Sequence, residues 1–474
     1  MSTIFAVDTQ RATTRGIEGD LALPEESVLA RAQAHAGAVH RLFDQPYARF
    51  LADAPMDAIR QRAAEITADD IILMGIGGSA LGAATIHDAL RPASPWQGKR
   101  LHVLDHLDPD RCEATLTEGF KRGAHFLIIS KSGDTTETMA LASYLDRMAR
   151  PELGALYGRE RVTVVTNEVT ADRSNADTVV RRWARSIEAV VLDMPFLLGG
   201  RFSVLSAVGL LPAALLGYDA QAILDGGRAM AEELSQLNVT DSDPIGNGAL
   251  ELASVIVGLD LERNVGSQVI LPYAQKLGRL GAWFVQLWAE SLGKTSLAGR
   301  KAAGPAGPIA GVGPTDQHSF AQLLLEGRRD KVVIFIDALG TQPSATIEPH
   351  RAFGEALDPL RGRSIGEVLS LECFATELAL SGEGRPSAAL RFHHGVDART
   401  LGGLFVFFET VTYLAGAMYG IEPYDQPGVQ LIKSHIKEGL VSGVGDGTQP
   451  DDRLGRERTF NGGFPLQLPS LRGI

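Results

Sequence analysis

The chain has 474 residues, 45 of them basic and 57 acidic, for a formal net charge of −12. That length leaves room for two to four domains with cores of their own, and 45% hydrophobic with 22% charged residues excludes a largely disordered protein. The acidic balance excludes nucleic acid as a broad partner, while still allowing a local basic pocket for a small anion.

Residues 1–45 read as a helical lead-in, and the opening MSTIFAVDTQRATTRG lacks the basic and apolar regions of a secretory signal. From about residue 68 to 193, short apolar runs alternate with stretches of helical period. These runs are Ile71–Met74, Leu101–Leu104, Phe126–Ile129, Val162–Val165 and Ala189–Leu192. Their spacing predicts βαβ units on a parallel sheet, and their continuous apolarity predicts strands buried on both faces. A helix is expected over Phe202–Leu216. Beyond it the chain is more helical, with strands at Val332–Ile336 and Ala388–Phe392 and helices at Tyr273–Leu292, Ser319–Glu326 and Leu404–Tyr419. The reading is α/β in two lobes, 46–230 and 231–440, with 441–474 as a Gly-rich, charged extension. No run is read as long enough to span a membrane, so no membrane partner is expected and the location is expected to be cytoplasmic. Cys112 and Cys373 are too few for a disulfide framework or zinc ribbon.

Six segments could carry chemistry. Gly75-Ile76-Gly77-Gly78-Ser79-Ala80-Leu81-Gly82 follows the first strand, where glycines allow close backbone approach and a helix N-terminus attracts anions. Simple strand–helix punctuation competes with that reading, as does a loose dinucleotide pattern with Asp105 on a ribose. Ser130-Lys131-Ser132-Gly133-Asp134-Thr135-Thr136-Glu137-Thr138 follows the third strand and offers hydroxyls to a phosphate. A capping box from Asp134 to Glu137 explains the same residues and is compatible with anion binding. Both loops leave the carboxyl ends of parallel strands, where open sheets bind ligands.

Arg201, in Gly199-Gly200-Arg201-Phe202-Ser203, is a permanent cation or an ordinary helix-start arginine. Gln286 and Glu290 share a face of the Tyr273–Leu292 helix, and Glu290 falls at the edge of the apolar arc near Trp283. It is a candidate proton carrier. His318 enters a helix after Asp316, and an adjacent acid or carbonyl could set its tautomer. Gln426 and Lys433 flank a Pro-Gly turn expected to open a helix. No His, Asp and Glu cluster has metal-ligand spacing, so no metal and no cofactor are expected.

In combination these segments resemble the glucose-6-phosphate isomerase family over about residues 70–435. Ser130–Thr138 fits its S-x-S-G-x-T-x-E signature, GGRFSVLSAVGLLP at 199–212 is a long match, and Glu290-Ser291-x-Gly293-Lys294, Gln317-His318-Ser319-Phe320 and the Gln426–Lys433 offset follow in the family's order. The resemblance implies two SIS-type three-layer α/β/α lobes with parallel-rich sheets. It also implies reversible conversion of glucose 6-phosphate to fructose 6-phosphate through a cis-enediol(ate), in glycolysis and gluconeogenesis. Glu290 would move the proton between C2 and C1, Arg201 would stabilise the oxyanion, and His318 and Lys433 would open the ring. Gly78, Ser79, Ser130, Lys131, Ser132, Thr135, Gln286 and Gln426 would hold the sugar phosphate. A homodimer follows by the same resemblance, with the histidine crossing the subunit interface. Asp134 stands where many relatives have threonine, and Gln430 where glutamate is usual. Related isomerases of mannose 6-phosphate or a C6-sulfonated sugar, and a non-catalytic phosphosugar-binding protein, are the alternatives.

Overall fold

The computed structural model describes residues 4–43, 50–51, 53–92, 98–169, 177–195, 198–240, 245–338, 345–442, 456–459 and 465–468. They divide into two compact units, 1–424 and 425–474. In the first unit, β1 (Phe5–Asp8), α1 (Glu25–Phe43) and α2 (Met56–Glu65) precede the first sheet. That sheet is built from β2 (Asp70–Met74), α3 (Leu81–Leu90), β3 (Arg100–Leu104), α4 (Pro109–Lys121), β4 (His125–Ile129), α5 (Thr136–Leu153), β5 (Val162–Asn167), α6 (Val179–Ser186) and β6 (Val190–Met194). Every strand is parallel, in the order β3-β2-β4-β5-β6. The central strands β2, β4 and β5 are buried at every position, whereas the edge strands β3 and β6 are partly exposed. This is why the sequence shows them as unbroken apolar runs.

Three helices, α7 (Ala207–Leu215), α8 (Ala220–Leu234) and α9 (Gly248–Arg263), lead to the second sheet. There β7 (Ser267–Pro272), α10 (Gly278–Leu292), β8 (Gly307–Ala310), α11 (Gln317–Glu326), β9 (Lys331–Asp337), α12 (Ile365–Gly382) and β10 (Ser387–Phe392) follow in turn, before α13 (Ala398–Tyr419). The strand order is β1-β10-β9-β7-β8, with only β1 antiparallel. Period-2 alternation assigns the two faces of each sheet to different cores. Ile71, Leu73, Leu127 and Ile129 of the first sheet join Ile270, Ile334, Ile336 and Leu390 of the second in one continuous cluster. Ile72, Met74, Phe126 and Ile128 face a separate core, and Val269, Leu271, Val333 and Phe335 a third.

Four expectations change. The lead-in is not only helical, because Phe5 is drawn into the second sheet, 5.0 Å from Phe392 and 4.9 Å from Phe407 between ring centroids. The helix expected from Tyr273 begins at Gly278, and Tyr273 and Leu277 are buried from the preceding loop and turn instead. The helix expected from Phe202 begins at Ala207, after a single 3-10 turn at Gly200–Phe202. Finally, α13 is long and apolar enough to cross a membrane, but 83% of its apolar window is buried inside the protein. It is the core helix against which α1, α8, α9 and α10 pack.

The second unit carries α14 (Pro427–Ser442) and an antiparallel hairpin of β11 (Arg456–Thr459) with β12 (Pro465–Leu468). Pro427 and Gly428 form the first turn of α14 itself, where proline's missing N–H costs nothing.

Candidate active site

In the first sheet the chain passes from β2 to β3 on one side and then to β4 on the other. A crevice therefore opens at the carboxyl ends of β2 and β4, the topological switch point where such sheets bind ligands. Both loops singled out in the sequence start there, at Gly75 and Ser130.

The Ser130 loop is held by its own hydroxyls. Ser130 Oγ lies 3.0 Å from Thr135 Oγ1 and accepts the Gly133 N–H at 3.1 Å, while Ser132 Oγ lies 3.4 Å from Thr135 Oγ1. Gly133 has φ +68°, and a Cβ there would stand 2.4 Å from Thr178. That left-handed turn carries the chain one residue further before the helix starts, so the expected capping box is absent. The N-cap of α5 is Thr135, not Asp134, and no side chain caps it. The first-turn N–H groups of α5 are thus left for an acceptor in the crevice. Lys131 lies in the same loop, its carbonyl accepting from Asn167 N at 3.4 Å.

The Gly75 loop makes a 3-10 turn over Gly77–Ser79, with Ser79 at its end. Two close approaches explain its glycines. A Cβ on Gly78 would meet the Gly200 carbonyl oxygen at 2.3 Å, and one on Gly77 would meet Gln286 Nε2 at 2.7 Å. A side chain at Gly78 would push away the backbone leading into Arg201, and one at Gly77 would displace the Gln286 amide carried by α10.

Arg201 is 3% exposed and clamped from two sides. Its Nε donates to Ser291 Oγ at 2.7 Å and its Nη2 donates to the Pro423 carbonyl. The other arm, Nη1, stands 3.6 Å from Glu290 Oε1, while Gln286 Nε2 donates to Glu290 Oε2 at 3.1 Å. Gln286 Oε1 is buried and has no hydrogen-bond partner among the described residues. The Glu290 carboxylate therefore faces a guanidinium and an amide rather than Trp283, which stands edge-on to Phe405 with centroids 4.8 Å apart. The reason is helical rise: seven residues separate positions 283 and 290, about 10 Å along the axis. Ser291 and the Pro423 carbonyl were assigned no role from sequence. Ser291 was visible as the neighbour of Glu290, whereas a backbone carbonyl contributed from 222 positions away leaves no mark in the sequence.

His318 lies elsewhere. It is exposed at the start of α11, and its imidazole makes no hydrogen bond or ion pair among the described residues. Asp316 does not orient it, because its two oxygens accept from Val312 N at 2.7 Å and Ser319 Oγ at 2.6 Å. Gln426 and Lys433 belong to the second unit, Gln426 just before α14 and Lys433 within it. One chain thus brings together Gly78, Ser79, Arg201, Gln286 and Glu290, with the Ser130–Thr135 loop beside them across the switch point.

The family model for phosphoglucose isomerase matches residues 60–444. A glucose-6-phosphate isomerase of Rubrobacter xylanophilus is 37% identical over 382 residues, covering 79% of this chain and 83% of the relative. One from Campylobacter jejuni is 32% identical, over 79% and 86%. Among solved structures, a hypothetical protein of Thermus thermophilus superposes with a TM-score of 0.76 at 28% identity, over 92% of this chain and 99% of the other. A glucose-6-phosphate isomerase of Chlamydia trachomatis shares the fold at TM-score 0.66 and 22% identity, over 92% and 82%. On the family match and these identities, the chain belongs to the phosphoglucose isomerase family.

Proposed function

We propose that this protein interconverts glucose 6-phosphate and fructose 6-phosphate, a step of glycolysis and gluconeogenesis, and works in the cytoplasm. The carrying observation is the Arg201–Glu290–Gln286 cluster at the switch point, with the hydroxyl-lined Ser130 loop one strand away. The phosphate would rest on Ser130, Ser132 and Thr135, on the free N–H groups of α5 and on Lys131. Gly78, Ser79, Gln286 and Gln426 would position sugar and phosphate oxygens, the unpartnered Gln286 Oε1 accepting a hydroxyl.

In the open-chain aldose, Glu290 would take the proton from C2 as electrons shift toward the C1 oxygen, giving a cis-enediolate. Returning that proton to C1, while the C2 hydroxyl passes its own proton to the C1 oxygen and becomes the carbonyl, gives the ketose. Glu290 thus serves first as base and then as acid. Arg201 cannot lose its charge, so its Nη1 attracts the enediolate oxygen more strongly as charge develops there. His318 and Lys433 would move protons at the ring oxygen and the C1 hydroxyl during ring opening. No cofactor enters this chemistry. The two sheets correspond, on this reading, to SIS-type lobes divided near residue 230.

We also read the enzyme as a homodimer whose sites are completed by the partner's histidine. His318 is exposed and unpartnered, and the neighbouring α12 turns its apolar side outward. Leu371 is 55% exposed and Phe374 and Leu378 are each 48% exposed, while Cys373, Glu377 and Leu380 face inward. A contiguous apolar stripe on the surface is the mark of an interface.

The test is turnover of glucose 6-phosphate by purified protein, with mannose 6-phosphate assayed beside it to reveal broader specificity. Mixing and refolding Glu290→Gln with His318→Asn then tests the dimer. Each variant alone is inactive, and the mixture regains about a quarter of wild-type activity, because half the dimers are mixed and each holds one intact site. No recovery means that His318 does not cross between subunits.

A further inference from the structure

His318 is exposed and unbonded, yet the residues on either side of it are not. Asp316, two residues before it, accepts from Ser319 Oγ just after it and from Val312 N. Gln317 is anchored more elaborately. Its Nε2 donates to the Tyr273 hydroxyl and to Thr376 Oγ1 at 2.6 Å, and stands 3.2 Å from the Glu372 carbonyl oxygen. Tyr273 in turn donates to Thr376 Oγ1 at 2.9 Å, and Thr376 donates to the Glu372 carbonyl at 2.8 Å.

The hydrogens balance. Tyr273 and Thr376 each spend their single hydroxyl hydrogen, and the two amide hydrogens of Gln317 reach the two hydroxyl oxygens. Each hydroxyl hydrogen thus has one acceptor within the group, and Tyr273 is fully buried. Tyr273 lies in the loop after β7, Thr376 and Glu372 on α12, and Gln317 at the start of α11. The amide therefore fixes the first turn of α11 against both the second sheet and α12. Phe320, one turn on, closes the fit: a Cβ on Gly311 would stand 2.5 Å from its ring.

We infer that Gln317 is a positioning residue for His318, setting the direction of its imidazole through the Tyr273–Thr376 hydroxyl pair. This rests on the reading of His318 as a ring-opening group. An imidazole with no hydrogen bond of its own has only its backbone to aim it, so the anchoring of that backbone replaces the carboxylate or carbonyl that usually orients a working histidine. Replacing Gln317 by leucine nearly keeps the side chain's size and removes both of the bonds its amide donates.

The experiment compares Gln317→Leu, Thr376→Val, Thr376→Ser and His318→Asn in the full-length chain. Two rates are read by NMR exchange: ring opening of the sugar phosphate, and the partition of the C2 proton between product and solvent. Gln317→Leu and Thr376→Val are expected to slow ring opening about 10–100-fold, the scale of an angstrom-level misplacement. The proton partition, which belongs to Glu290, stays at its wild-type value, and Thr376→Ser restores ring opening. Because a partition ratio does not change with the amount of folded enzyme, ring opening is expressed per folded molecule, counted by circular dichroism; a loss that disappears on that scale is structural damage and overturns the positioning role.

If Gln317→Leu is too unstable to assay, Thr376→Val carries the same test with one hydroxyl removed. Wild-type ring opening in folded Gln317→Leu or Thr376→Val, with His318→Asn inactive, overturns the positioning role and leaves the histidine's role standing. Wild-type ring opening in His318→Asn instead removes the reading on which the inference rests.

Discussion

In the first sheet, β2 is flanked by β3 and β4, with β5 and β6 beyond. In the second, β7 is flanked by β8 and β9 with β10 beyond, and β1 closes the edge. Apart from that last strand, which arrives antiparallel from the N-terminus, the connections repeat in the same order. Each sheet therefore has a switch point at the carboxyl ends of its second and third strands. At the first, the chain leaves through glycines and hydroxyls into uncapped helices. At the second, the loop after β7 carries Tyr273, sealed by its bonds to Thr376 and Gln317, and Lys276, whose Nζ donates to the Val396 carbonyl at 2.9 Å. Repetition of a backbone path does not repeat a site. What differs is that the first crevice keeps uncapped helix N–H groups at the ends of β2 and β4, whereas Tyr273 and Lys276 at the second are bonded into the fold.

The comparison can be broken at several levels. Glu290→Gln removes the proton carrier next to the first crevice and is expected to lower turnover about 10²–10⁴-fold while thermal unfolding stays near wild type. Turnover close to wild type in that variant would detach the chemistry from α10 altogether. Ser291→Ala leaves the buried Arg201 Nε without its acceptor, a cost of about 1–3 kcal/mol. Part of that is expected to appear as a lower kcat, and a rise in KM alone would show that the clamp serves binding rather than the reacting oxygen.

A matched pair contrasts the two crevices directly. Thr135→Val takes a hydroxyl from the first and is expected to raise KM by roughly tenfold, as loss of a hydrogen bond to a charged group does. Lys276→Met in the second is expected to leave KM unchanged. An equal rise from both would mean that the second crevice also holds substrate.

The gentlest effect concerns the opposite edge of the first sheet. His125 opens β4 and is 1% exposed, its Nε2 2.8 Å from Thr163 Oγ1 and its Nδ1 3.2 Å from the Glu160 carbonyl oxygen. Arg62 Nε donates to the same Thr163 oxygen at 2.9 Å, so the hydroxyl hydrogen goes to Nε2 and Nδ1 keeps the proton. Burial, and then the nearby Arg62 charge, hold this imidazole down at about 3. In the unfolded chain it titrates near 6.5, so below that pH the unfolded state takes up a proton that the folded state refuses. Stability is fully present above about pH 6.5 and falls with acidification toward pH 3, by at most about 1.4 kcal/mol per pH unit. Chemical denaturation at stepped pH should show this slope flattened in His125→Gln. An unchanged slope would assign the acid sensitivity to other groups.

How much of this was legible follows from where each signal lies. Ile71–Met74, Phe126–Ile129 and Val162–Val165 announce themselves because central strands are buried at every position and so are largely apolar. β7 did not, since Ser267-Gln268 begins it in polar fashion and the apolar spacing of Tyr273 and Leu277 continued into α10 as if it were helix. β1 was hidden because its partner strand is some 380 residues away in sequence. Within the site, Arg201, Gln286 and Glu290 sit in contiguous runs and were readable. Their clamps were not, because Ser291 and Pro423 acquire meaning only through contacts that cross the fold. The expected cap at Asp134 failed for a local reason, the left-handed turn at Gly133.

The clamp on Arg201 also fixes when in its life the protein can work. These two anchors lie 90 and 222 positions downstream, so a chain grown past the first sheet as far as Arg201 holds the arginine and neither of them. Until Pro423 emerges, the guanidinium is without the carbonyl that holds its Nη2, and the clamp is incomplete. Nascent chains of intermediate length should therefore carry folded structure without activity, and on refolding, turnover should return after the bulk of the helical signal.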